Sequence, residues 1–411
     1  MGARGIDMTE RIVVSSFEDV KESFRQRALK QALYDDGADL MRDVIVALHG
    51  DEHRTRRRVE NRLFRRETFS HYEHSLVPAA VNDLLEPHLR DGWVDVLVLA
   101  RRTMQNVSLL VSGIDRIDDS EQEAERIAGV LQRLARASTV AQSTLPKHEI
   151  VADGQDALRE FETRYLAPSV ARRREILARL DAGLIGEDDL PKDVLTTLLR
   201  YQQELSLTWE QVVKEVAYFP WVASHSTANA VAHTLEEVFS WLAAHPEDRI
   251  RAAEDPAFLQ RCAHETLRLH PASPEAWRHA LEEVRLRSGT VLPQGSFVVL
   301  DLTAANRDRS VFGDDADVFN PHRSTPAGAA PWGHSFGGGI HACIGQELAG
   351  GLAGVPSDSE HLFGTIVVMI QTLLRHGAEP DPERGATHDY ASGRPHFESF
   401  FVRFTEPATL G

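Results

Sequence analysis

The chain has 411 residues, 42% of them hydrophobic, and a net charge of −17 from 45 basic and 62 acidic side chains. That apolar content supports a substantial core, and the acidity argues against a nucleic-acid partner. Two cysteines, Cys262 and Cys343, are too few for a disulfide framework and suit a reducing cytoplasm.

In chain order, residues 1–11 carry no apolar signal region. Residues 11–15 read as a strand and 52–64 as a helix crowded with Arg54, Arg56, Arg57, Arg58, Arg62, Arg65 and Arg66. Helical periodicity continues over 120–137, 155–182, 209–243 and 256–269, and Pro220 predicts a kink in the fourth of these five helices. Strands follow at 283–286 and 296–302, with Val291-Leu292-Pro293-Gln294-Gly295 expected as the turn joining them. A long loop, 306–339, leads to a glycine-rich segment; Gly350, Gly351, Gly354 and Pro356 then predict a broken helix restarting near Ser357. The apolar run 363–374 is too short to span a bilayer, and 396–404 closes the chain as a strand. The expectation is a mainly α protein with small β-sheets, one domain over 1–411, soluble and cytoplasmic.

Phe336-Gly337-Gly338-Gly339-Ile340-His341-Ala342-Cys343-Ile344-Gly345 is the most informative stretch. A thiolate binds metal, and a cysteine just ahead of a helix start is expected to have a lowered pKa. Glycines let backbone N–H groups approach the sulfur. The bland alternative is a buried structural cysteine. The spacing F-x-x-G-x-x-x-C-x-G resembles the haem-ligand loop of the cytochrome P450 family. The resemblance runs in order from about Ile12 to Phe404 and implies the P450-like helical fold, with Cys343 as the axial ligand of haem b. It also implies that roughly 40 residues usual in the family before the first strand are missing, which shortens the N-terminal part.

Haem propionates need cationic or hydrogen-bonding partners. His53 and Arg57, four apart on one helical face, resemble the family's propionate-binding pair. Arg278 and His341 fall at two further contact positions of the family, and Phe336 opens the cofactor loop. Glu265-Thr266-Leu267-Arg268 matches the family's E-x-x-R, and Arg323, in Asp317-Val318-Phe319-Asn320-Pro321-His322-Arg323, matches the arginine that completes that charge cluster. Ala304-Ala305-Asn306-Arg307-Asp308 adds a likeness to bacterial members. Cys262 reads as core.

Where the family's central helix usually reads A-G-x-(E or D)-T, this chain has Ala223-Ser224-His225-Ser226-Thr227. The resemblance casts Thr227 and Ser226 as the catalytic pair for proton delivery during O₂ activation. Ser226 can pass a proton but cannot supply one near neutral pH. A water chain through Ser226 and Thr227, a contribution from His225, or a proton from substrate could each replace the acid, the first being favoured; His225, adjacent to Ser226, is expected to point elsewhere.

The function implied is a monooxygenase inserting one atom of O₂ into a small or medium organic substrate, fed from NAD(P)H through ferredoxin and ferredoxin reductase. The exposed arginines of the 52–64 helix are the expected docking site for an acidic ferredoxin. Expected pocket walls are Phe219, Val222, 272–276 and 394–398. The missing acid keeps two alternatives open, a haem-thiolate peroxygenase or rearrangement enzyme and a catalytically silent haem-binding protein.

Overall fold

The computed structural model describes residues 11–354 and 361–405. Helices dominate, gathered around the 36-residue central helix Trp209–Ala244. A capping box starts it: Thr208 Oγ1 accepts from Gln211 N at 3.2 Å, and Gln211 Oε1 accepts from Thr208 N at 2.9 Å. It runs helical through Pro220, whose carbonyl accepts hydroxyl bonds from Ser224 (3.0 Å) and from Ser108 (3.2 Å) of the neighbouring helix Val96–Ser112. That neighbour is buried on most sides and packs along the central helix.

Helix Pro256–Leu269 follows the sequence reading because its start is fully specified. Asp255 accepts from Ala257 N and Phe258 N, and Pro256 occupies the first turn, where its missing N–H costs nothing. The 155–182 helix begins earlier, at Lys147, and continues to Asp181 through a widened π turn, Glu162–Leu166. Pro168 has no N–H to give the Arg164 carbonyl and its ring crowds it; Ala167 N instead reaches Glu162 O. The 52–64 helix is Gly50–Glu60, so Arg62 lies in a turn and Arg66 opens the next helix, Arg66–His71.

Strands Arg11–Val14, Phe297–Asp301, Glu275–Ala280 and Leu29–Gln31 form one sheet in that order, parallel at the first pairing and antiparallel at the others. Its register puts Arg278 between Gln31 and Val298. A second sheet orders Trp93–Asp95, Phe397–Phe404 and Ala378–Pro380, with Ala386–His388 also on the middle strand. The expected turn at 291–295 is corrected. Val291 and Leu292 are a strand paired with Val284–Arg285, and the chain turns only at 293–296. Leu292 is fully buried, so core packing extends the strand into what reads as a turn.

After Cys343 the helix Gln346–Gly350 is five residues long and ends at Gly351 (φ 73°). Ser357 and Pro356 lie outside the described residues; the next described helix is Thr365–Arg375. Backbones cross tightly at this break: a Cβ on Gly364 would lie 2.5 Å from Ala349 O. Buried side chains stitch the crossing. Gln260 donates to Leu362 O and Phe363 O, His264 bonds Gly350 O, and Glu73 accepts from Phe363 N and Gly364 N.

Among the described residues no helix is long and apolar enough to cross a membrane.

Candidate active site

The cysteine loop is shaped by close packing. Gly339 has φ 63° and presses on Phe24, whose carbonyl oxygen would lie 1.9 Å from a Cβ placed there. Only glycine fits. Cys343 N donates to Phe336 O at 2.9 Å and closes the loop, while the Phe336 ring stands edge-on to Trp332.

Cys343 is exposed by surface area, yet protein atoms surround its thiol closely. The thiol is thus accessible but closely flanked by protein. Burial pushes its pKa up, against the Gly345 N–H and the Arg57 guanidinium, which pull it down. The expected lowering is corrected: five residues of helix make a weak dipole, and desolvation outweighs it. A coordinating metal would remove the thiol proton outright.

Around the cysteine loop the structure gathers four of the expected residues. His53 and His341 have ring centroids 4.4 Å apart. Burial lowers the His53 pKa to about 4 and the His341 pKa to about 3, with Arg57 adding to both and Arg278 to the second. Each ring keeps a buried Nε2 without a hydrogen-bond partner. Arg57 Nη2 donates to Ala342 O. Arg278 is 4% exposed and donates to Gln31 Oε1 and Trp277 O, and it has no ion pair among the described residues. Its burial lowers the guanidinium pKa to about 10. Two orphaned imidazole nitrogens and two arginines that form no ion pair among the described residues suit the two propionates of a haem, and the thiol suits its iron. Tyr34 and Tyr218 also lie within electrostatic reach of Cys343; burial raises the Tyr34 pKa to about 12 and raises that of Tyr218 well above the usual phenol value. Neither belongs to a motif, and no sequence signal marked them.

The loop is anchored from behind by a charge network. Arg268 binds Glu265 through two bonds of 2.7 and 2.8 Å and donates to Asn306 O and Ala316 O. Arg323 Nε reaches Glu265 Oε1 at 2.9 Å, and its other nitrogens satisfy Phe312 O, Asp315 and Val318 O. Asn306, between this network and the loop, bonds Arg268 O, Ser335 Oγ and His334 N. Cys262 is fully buried with its pKa raised by desolvation.

On the central helix Tyr218, Val222, Ala223, His225 and Ser226 are half-buried, while Phe219, Ser224 and Thr227 are buried. Ser226 Oγ donates to Val222 O at 2.8 Å, so its hydroxyl is turned back on the helix. His225 bonds Trp221 O through Nδ1 and lines a cleft also reached by Arg394 and His396. Ser226 is not among the residues that line this cleft.

The sequence pattern of the family described as Cytochrome P450 matches residues 6–350. The chain belongs to the cytochrome P450 family. A biotin biosynthesis cytochrome P450 of Bacillus subtilis is 31% identical over 159 residues, 38% of this chain and 37% of that protein. The match thus spans little more than a third of that relative's length. A C-19 steroid 1alpha-hydroxylase of Sorangium cellulosum is 26% identical over 76% of this chain and 71% of its own. The crystal structure of CalO2 superposes with a TM-score of 0.73 at 21% identity, covering 97% of this chain and 91% of its own, and supports the fold. Membership in the family implies a haem iron cofactor.

Proposed function

We propose that this P450 is a haem-thiolate monooxygenase that inserts one oxygen atom of O₂ into a small or medium organic substrate. The observation that carries this reading is the gathering of His53, Arg57, Arg278 and His341 around the Cys343 loop, with Arg57 on the Ala342 carbonyl and the two imidazoles in contact. The bound haem would supply O₂ activation. Cys343 would hold its iron, and the two histidines and two arginines would hold its propionates. Glu265, Arg268 and Arg323 fix the loop that carries the thiol.

Proton delivery falls to Thr227 and Ser226. Ser226 serves only when its hydroxyl leaves Val222 O, so water entering beside the helix is part of this reading. Electrons come from NAD(P)H through ferredoxin and ferredoxin reductase in the cytoplasm. The exposed Arg58, and Arg65 on a surface cleft of about 510 Å³ lined also by Arg62 and Lys192 and by the Arg200–Glu187 pair and Glu67, suit an acidic donor.

Incubation with NADPH, ferredoxin, its reductase and ¹⁸O₂ across a panel of terpenes, steroids and organic acids tests this. A product heavier by one ¹⁸O is expected. Product formed with hydrogen peroxide but never with O₂ and electrons would instead establish a peroxygenase.

A further inference from the structure

A cleft of about 260 Å³ opens along the central helix at Trp221, His225 and Asn229. Three guanidiniums line it: Arg101 from helix Val96–Ser112, Arg136 from helix Glu121–Ser138, and Arg394 ahead of the last strand. All three act on His225, whose pKa burial and these charges lower to about 4.

Among the described residues none of the three forms an ion pair within 4.0 Å. Arg101 Nε is buried without a hydrogen-bond partner, and Arg394 meets only the hydroxyls of Ser392 and Thr139. The acids on the wall do not balance them. Asp153 is held by Arg133 at 2.8 Å, Glu149 lies exposed at the rim beside His148, and Asp389 accepts from Ala391 N while acting on Arg101 and Arg394 from a distance. Arg101 and Arg394 are desolvated while Arg136 is exposed, and Arg101 also feels Asp95 and Glu398 without an ion pair to either. In a chain of net charge −17, leaving the desolvated two unpaired is a costly arrangement that an anionic ligand would relieve.

Two observations put this cleft on the thiol's side of the central helix. Tyr218, Val222, His225 and Asn229 are spaced by four, three and four residues and share one helical face. Tyr218 at one end of that face acts on Cys343. Tyr34 is within electrostatic reach of both Arg394 and Cys343. Trp221, Ile150, Leu145 and Phe397 supply apolar wall for the rest of a ligand.

We propose that the cleft binds the carboxylate of the substrate, gripped by Arg101 and Arg394 with Arg136 adding charge, so that this P450 acts on organic acids. The consequence for substrate class rests on the monooxygenase reading; the carboxylate site itself does not. Asn229 holds the Arg394 segment in place, its Oδ1 accepting from Phe397 N at 2.9 Å.

The test is calorimetric titration of the haem-loaded protein with decanoate and 4-phenylbutyrate, each against its neutral amide. At least one acid should bind, about tenfold more tightly than its amide. Arg101→Gln and Arg394→Gln should each erase that preference by about the same factor, Arg394→Lys should keep part of it, and thermal melts should show all three folded. Acid and amide binding alike, no acid binding, unaffected arginine variants, or displacement of the acid by equimolar inorganic phosphate would each overturn the proposal. Reduced carbon-monoxide spectra of the same samples separate the two readings. Acid selectivity without a thiolate-type band would sink the monooxygenase and leave the site standing; the reverse would sink the site alone.

Discussion

Arg57 Nη2 donates to the carbonyl of Ala342 at 2.9 Å, tying helix Gly50–Glu60 to the residue just before Cys343. The same guanidinium lowers the pKa of Cys343 and of His53. Arg57→Gln removes the charge and weakens the tie. Haem should pass to apomyoglobin about tenfold faster from this variant than from wild type. An unchanged transfer rate would mean that Arg57 does not hold the cofactor.

Arg323 joins Glu265 to three backbone carbonyls with its side chain only 9% exposed. Truncation to alanine strands those acceptors and takes one of two guanidiniums from the buried Glu265 carboxylate, whose Oε1 keeps Arg268 Nη2 and Asn320 N. Arg323→Ala should cost ~3–5 kcal/mol in urea unfolding. A loss below about 1 kcal/mol, the range of a surface pair, would contradict a buried network.

A second buried cluster gives a pH dependence. Glu60 is fully buried with neither oxygen partnered, and Glu215 binds Arg56 Nη1 at 2.6 Å beneath it. Burial raises the pKa of Glu60 well above 4.5, with the Glu215 charge adding to it, and burial raises that of Glu215 to about 7. Unfolded, both release their protons near 4.5. The folded state keeps them longer, so stability is greatest at low pH within this window and falls as pH rises through the folded values. Glu60→Gln keeps the neutral shape without the titration. Its denaturation midpoint should drop less than wild type between about pH 5 and about pH 8. An equal drop would show that Glu60 does not carry the effect.

How much of this was legible in the sequence depended on locality. Asp255-Pro256 announces the helix that follows, and contiguous residues of the 336–345 loop announce the thiol. Helix Val96–Ser112 went unread because it is buried on most sides and has no clean apolar stripe. The π turns before Pro78 and Pro168 were hidden for another reason. A proline within a helical pattern predicts a break, whereas the chain absorbs it by widening one turn. The arginine cleft draws on Arg101, Arg136 and Arg394, which meet only in the folded chain; Arg394 was expected at a pocket wall, but nothing local paired it with the other two.

Docking of an acidic donor at the exposed arginines has a kinetic consequence. Arg58 and Arg65 are exposed, whereas Arg56 of the same arginine-rich stretch is 2% exposed and committed to Glu215. Arg58→Glu with Arg65→Glu should slow the first reduction by ferredoxin about tenfold at low salt, and the difference should shrink as salt is added. A rate equal to wild type at low salt would place the donor elsewhere.

Cys343 as the iron ligand underlies every other role in the site. The dithionite-reduced protein should give a strongly red-shifted Soret band with carbon monoxide, and Cys343→His should abolish that band while still binding haem. A folded, haem-loaded wild type without the band would contradict thiolate ligation, and the monooxygenase reading would fall with it.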